Sequence, residues 1–226
     1  MLTLGIDESA RGPCIGAMFL VGALFEEDKL LTLKELGVKD SKLLTHRKRV
    51  WLAEKIKNIA EKIKVIKVSP QEIDNAVEGK DGLNLNWLEA IKQAEIINEL
   101  EPDRAIIDCP SPNIRSYTNF LRKYIRKEIL DKIELIVAHK ADFDYVECSS
   151  ASIIAKVERE IEVKKIEKIT GMPIGSGYVS NPICQKFLKE NFDKFPEIFR
   201  KSWISWKNHD EARKQKKIVD FKTNEL

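Results

Sequence analysis

Along this chain short β-rich apolar runs alternate with longer stretches of helical periodicity, the alternation that an α/β domain produces. The first run, Leu2 to Asp7, leads through the turn RGPCIG to a second, Ala17 to Phe25, close enough to pair with it as a hairpin. Val65 to Val68, Ala105 to Ile107 and Leu135 to Ala138 are further strand candidates, so a sheet of about five strands is expected. Between them, Leu52, Ile56, Ile59, Ala60 and Ile63 form a helical stripe after Thr45. Trp87, Leu88, Ile91 and Ala94 repeat that spacing, as do Ile114, Tyr117, Leu121 and Tyr124 after Pro112. Ile153 to Ile169 predicts a long charged helix closed by Gly171, a residue suited to a left-handed C-cap. Beyond the loop TGMPIGSGYVSNP the chain turns helical and increasingly basic. The division expected is an α/β domain over 1–178 with a helical segment, 179–226, packed on it.

Composition narrows the class. With 226 residues the chain is one domain, or one with an appendage; 43% hydrophobic and 33% charged residues exclude a disordered chain. No apolar run approaches the roughly 18 to 20 residues that a bilayer span needs. The start MLTLGIDES lacks the basic head and cleavage site of a signal peptide, so a cytoplasmic protein is expected. The net charge of +3 is mild, and an anionic partner must be met by a local basic surface. Cys14, Cys109, Cys148 and Cys184 show no CxxC spacing and read as reduced thiols.

Chemistry enters with the acids. Asp7 closes the first strand, beside Glu8 in IDESARG; Asp108 closes RAIID; Asp142 follows ELIVAHKA. Singly, an Asp after a strand is most often a turn former or helix cap. Jointly, acids at the carboxyl ends of neighbouring strands converge on the crevice where α/β sheets bind ligands. Such carboxylates repel one another unless protonated, paired or bound to metal. An all-oxygen set suits Mg²⁺ or Mn²⁺, and phosphoryl-transfer sites place two such ions roughly 3.5 to 4 Å apart. Glu8 poses a geometric difficulty, because adjacent side chains on a strand point to opposite faces. If both acids act, a bulge or turn at Glu8 is expected.

These stretches resemble the type 2 ribonucleases H, including archaeal ribonuclease HII and the catalytic subunit of eukaryotic ribonuclease H2. IDESARG is similar to the family's DEAGRG signature, and DSKLL (Asp40 to Leu44) to its DSK motif. IIDCPSPN, HKAD, SSASIIAKVERE, GSGYVSNP and FPEIFRKSWISW follow in the family's order, so that the likeness spans Gly5 to Trp206. The resemblance implies an RNase H-like fold, a mixed sheet flanked by helices with a helical C-terminal extension. It also implies a metal-dependent endonuclease that cuts the RNA strand of RNA/DNA hybrids; a monomer is expected. Such enzymes nick duplex DNA 5′ of a single ribonucleotide, leaving 3′-hydroxyl and 5′-phosphate ends.

Carried over position by position, Asp7, Glu8, Asp108 and Asp142 would bind two Mg²⁺ or Mn²⁺ ions. Asp144 competes locally with Asp142 and is expected instead to cap the following helix. The backbone of Ala10, Arg11 and Gly12 would contact the 2′-hydroxyl, and Tyr178 would pack on the ribose. The family usually has glycine where Ala10 stands, a departure that matters if the backbone there needs φ > 0. Ser41, Lys42, His139, Lys140 and Lys156 are expected at phosphates, with solvated lysines the ordinary alternative. Arg11 could equally form a surface ion pair, and Tyr178 could be a half-buried loop aromatic.

Near the end, Gln215, Ile218 and Phe221 have the spacing of the sliding-clamp box Q-x-x-aliphatic-x-x-aromatic-aromatic, with Lys222 at its second aromatic. A solvated helix has the same look. Two other classes stay open: a non-catalytic nucleic-acid-binding subunit, and another nuclease of the same fold without 2′-hydroxyl sensing. A nucleotide-cofactor enzyme is poorly supported, since neither GxGxxG nor GxxxxGK[ST] occurs.

Overall fold

The computed structural model describes residues 1–39 and 41–211. Asp40 of the DSKLL motif and Gln215, Ile218 and Phe221 of the tail lie outside the described residues. The sheet has five strands: β1 (Leu2–Ser9), β2 (Met18–Glu26), β3 (Lys62–Val68), β4 (Arg104–Asp108) and β5 (Glu134–Ala138), in the order β3-β2-β1-β4-β5. β1 pairs antiparallel with β2 through Ser9↔Phe19 and parallel with β4, and β4 pairs parallel with β5. The hairpin and the mixed sheet are those the sequence predicts. β1 and β2 are buried almost throughout, as central strands covered on both faces must be.

One face is covered by α3 (Pro70–Val77), α4 (Leu85–Leu100) and α5 (Ile114–Arg122), whose Ile73, Leu88, Ile97 and Tyr117 pack on Leu4, Ile6, Met18 and Leu20. The other face is covered by α1 (Lys29–Glu35), α2 (His46–Ile59) and α8 (Val146–Thr170) around Val21, Ala23 and Phe25. α6 (Lys127–Leu130) precedes β5, α7 (Ala141–Asp144) follows it, and α9 (Pro182–Asn191) lies in the C-terminal segment. Small residues let α8 approach the sheet. A Cβ at Gly5 would stand 2.1 Å from the Glu147 carbonyl carbon, so only glycine passes there.

Two sequence expectations need correction. Ile63 belongs to β3, because Ala60 takes an extended conformation (ψ 139°) and ends α2 before the stripe is complete. Tyr124 lies in the turn after α5, which stops at Arg122. The C-terminal segment packs Phe187, Leu188, Ile198 and Phe199 on Cys14, Ile15 and Ile166. The Ile15↔Phe199 bridge joins it to the loop after β1, and residues 204–211 are helical. All four cysteines are free and buried. Among the described residues no helix is long and apolar enough to cross a membrane.

Candidate active site

β1, β4 and β5 run parallel side by side, so their carboxyl ends open on one edge of the sheet. Asp7 comes from β1, Asp108 ends β4, and Asp142 sits on α7; the three carboxylates offer oxygens all within 4.8 Å of one another. Asp142 was expected at a strand end and is instead on a helical turn. The left-handed conformation of Lys140 (φ 58°) swings the chain out of β5 into α7. That turn aims the Ala141 N–H at Asp108 Oδ1, 3.0 Å away. Asp144 is exposed and does not cap α8, whose N-cap is Tyr145 without a side-chain bond.

The bulge anticipated at Glu8 is absent: β1 keeps its register with β2 through Glu8↔Leu20 and Ser9↔Phe19. Glu8 nevertheless lines the same crevice of about 180 Å³ as Asp7, Asp108 and Asp142. The crevice straddles the edge of the sheet, where side chains from both faces reach over the strand ends. Burial, reinforced by Glu8, holds the Asp7 carboxyl well above the usual range, and a hydrogen bond with Ser152 only partly offsets this. Burial, with Glu89 and Asp108 nearby, pushes Glu8 from 4.5 to about 8. Asp108 is raised by burial too, against the pull of the Ala141 N–H. Among the described residues, Glu8 Oε2 is buried without a hydrogen-bond partner. Closely set, all-oxygen and short of positive charge, this group fits a hard divalent cation.

Lys42 and Lys156 line the crevice, with Lys42 Nζ 3.5 Å from Asp142 Oδ2. Ser41 is buried behind it, bonded to Ser152 (2.8 Å) and to Lys156 Nζ (2.5 Å), so it braces the wall. His139 turns its Nδ1 to the Cys109 carbonyl (3.2 Å), and Lys140 is exposed; neither lines the crevice. Tyr178 does, 37% exposed, with the Arg159 guanidinium 5.0 Å from its ring centre. A Cβ at Gly12 would meet Tyr178 Cε1 at 3.1 Å, so glycine lets loop and ring approach.

Ala10 has φ 68°, the conformation for which glycine is the usual choice. Arg11 is no surface ion pair: its Nε binds Glu89 Oε1 at 2.7 Å and its second amino group binds Asn86 Oδ1 at 2.6 Å. Glu89 is fully buried on α4, and burial raises it to about 7 despite Arg11. Sequence reasoning missed Glu89, because its neighbours one turn away on α4 include Asn86, Lys92 and Gln93, and the acid does not stand out from an apolar face. A wider cleft of about 660 Å³ beside β3, lined by Lys64, Glu99 and Arg126, gathers no acid cluster.

A mixed five-stranded sheet with three buried or half-buried acids gathered beside the carboxyl ends of its parallel strands defines the RNase H-like class of fold. The ribonuclease HII family pattern matches residues 4–206. A ribonuclease HII from Methanothermobacter thermautotrophicus is 41% identical over 208 residues, covering 91% of this chain and 97% of that protein. The crystal structure of ribonuclease H2 from Pyrococcus horikoshii OT3 superposes with a TM-score of 0.84 at 32% identity, over 94% of this chain and 98% of the other. The Archaeoglobus fulgidus chain solved as a PCNA:RNase HII complex gives 0.79 at 35% identity, over 90% and 95%. The chain belongs to the ribonuclease HII family and is a nuclease.

Proposed function

We propose that this enzyme cuts the RNA strand of RNA/DNA hybrids and nicks duplex DNA 5′ of a single embedded ribonucleotide, leaving 3′-hydroxyl and 5′-phosphate ends. The observation that carries the reading is the convergence of Asp7, Asp108 and Asp142 within 4.8 Å. Asp7, Glu8, Asp108 and Asp142 would hold two Mg²⁺ or Mn²⁺ ions. When bound, the ions neutralise the acids, activate the attacking water and stabilise the departing 3′-oxygen.

The chain's own groups do the rest. Asp7, facing both Asp108 and Asp142, would be the central acid of the set that holds the ions; the Ala141 N–H fixes the orientation of Asp108. Lys42 and Lys156, on the crevice wall, meet the phosphate of the cut strand without reading sequence. The loop Ala10 to Gly12 offers backbone groups to the 2′-hydroxyl, and Tyr178, packed against Gly12, supports the ribose. His139 and Lys140 would meet the duplex outside the crevice. This set of roles favours a working enzyme over a non-catalytic subunit, since none of the four acids is missing.

End-mapping on a labelled duplex with one ribonucleotide tests the proposal. One cut, 5′ of the ribose, dependent on Mg²⁺ or Mn²⁺ and abolished by chelation, is expected. Equal cutting of an all-DNA duplex would assign the chain to nucleases without ribose sensing. The Gln215, Ile218 and Phe221 spacing, with the Archaeoglobus complex as support, favours a sliding clamp as partner of the tail. Removing 215–226 should abolish clamp binding and leave hydrolysis unchanged.

A further inference from the structure

Arg200 is 0% exposed, and among the described residues no carboxylate lies within ion-pair distance of it. Burying a cation this way is expensive unless something else uses it. Its whole fork is spent on one loop: Nε donates to the Gly16 carbonyl (3.0 Å), and the two amino groups donate to the carbonyls of Arg11 (2.8 Å) and Ala10 (2.6 Å). Its own backbone N–H donates to the Cys14 carbonyl at 2.9 Å. Trp203, its ring centre 5.1 Å from the guanidinium, donates Nε1–H to the Gly12 carbonyl at 3.1 Å. The turn that carries both residues is itself anchored, because buried Asp74 on α3 accepts from the N–H groups of Lys201 and Ser202 and from the Ser202 hydroxyl.

Thus the carbonyls of Ala10, Arg11 and Gly12 all face the C-terminal segment. In a trans peptide the carbonyl of one residue and the N–H of the next point in opposite directions. Pinning the carbonyls of Ala10 and Arg11 therefore sends the N–H groups of Arg11 and Gly12 the other way, on a loop whose opposite side lines the acid crevice. A cation bound to the carbonyl end of a peptide also polarises it and strengthens its N–H as a donor. Burial lowers Arg200 only to about 10, so it remains charged at neutral pH. The same clamp holds Ala10 in its left-handed conformation, φ 68°.

We propose that Arg200 is a positioning residue for ribose recognition: by gripping the carbonyls of Ala10, Arg11 and Gly16 it presents the loop's N–H groups to the substrate 2′-hydroxyl. The inference rests on the ribose-sensing reading of that loop given above.

The test uses the full-length enzyme and two fluorescent-labelled duplexes of one sequence. The first carries a single ribonucleotide and is the substrate; the second is all DNA and is a competitive inhibitor. Arg200→Lys keeps the charge and loses the fork. It should raise KM for the ribonucleotide duplex about tenfold or more while leaving Ki for the all-DNA duplex unchanged, since only the ribose contact is lost. A general loss of structure would move both constants together, and that parallel change, or no change, would overturn the proposal. If Arg200→Lys does not fold, Trp203→Phe removes the bond to Gly12 while keeping an aromatic ring beside the guanidinium, and should give a smaller rise in KM, about threefold, again with Ki unchanged. A wild-type enzyme with no preference for the ribonucleotide duplex would refute the ribose-sensing reading itself, and this inference with it.

Discussion

At the residue scale, the crevice is made of groups held where they are individually uncomfortable. Ala10 is the simplest case. An L-residue in the left-handed region costs roughly 1 to 2 kcal/mol, and glycine there gives back about 0.5 to 1 kcal/mol of chain entropy. Ala10→Gly should therefore stabilise the protein by roughly 0.5 to 1 kcal/mol, measured by denaturant unfolding. Because Ala10 already adopts φ 68°, the shape of the loop is preserved and the penalty falls on stability before it falls on recognition. A destabilised glycine variant would mean that the alanine methyl, 5% exposed, packs better than the strain costs. What the sequence made legible at this scale were the acids, because each ends or follows a strong apolar run. What it hid were Arg200, Asp74 and Glu89. Arg200 lies 190 positions from the carbonyl of Ala10 that it binds. No local pattern encodes that separation.

At the scale of elements, every strand was readable from its short apolar run, and β1 beside β4 and β5 is what gathers the acids. Short helices were harder. α1 buries only Leu33, too little for a stripe, whereas α3 carried an unread signal: Ser69 and Glu72 form a capping box with Pro70 at its start. α7 was invisible because it depends on the φ 58° of Lys140. The contact between α8 and β1 sets the height of the whole site, since α8 brings Ser152 to Asp7. Gly5 is the residue that permits it. Gly5→Ala would place a methyl 2.3 Å from the Glu147 carbonyl oxygen, which is backbone and has nowhere to go. The expected outcome is a loss of about 3 kcal/mol or more of stability together with most activity. Unchanged unfolding curves would show that α8 has slack.

At the scale of the whole molecule, the acid crevice ties stability to pH and to cations. Glu8 is raised from 4.5 to about 8, and Asp7 is raised in the same direction, chiefly by burial. A raised carboxyl keeps its proton in the native state after the unfolded chain has released it. Its stabilising effect is complete below about pH 4.5 and is lost as pH rises towards about 8. The Tm of the metal-free enzyme should fall across that window more than the Tm of Glu8→Gln, which has no such proton to lose. Millimolar Mg²⁺ or Mn²⁺ should reverse the fall, with a larger gain at pH 8 than at pH 5. Equal Tm with and without the ions at pH 8 would show that the crevice does not take them.

The central claim is that these crowded acids exist to work with divalent ions on a scissile phosphodiester. The most direct measurement is the rate at which Asp7→Asn nicks a single-ribonucleotide duplex in Mg²⁺, beside the wild type. The substitution removes charge and nearly keeps volume, so the variant should fold with an undiminished metal-free Tm and cut slower by at least about 10³-fold, a loss of roughly 4 kcal/mol or more in transition-state stabilisation. Cleavage by Asp7→Asn within about tenfold of the wild type would contradict the account.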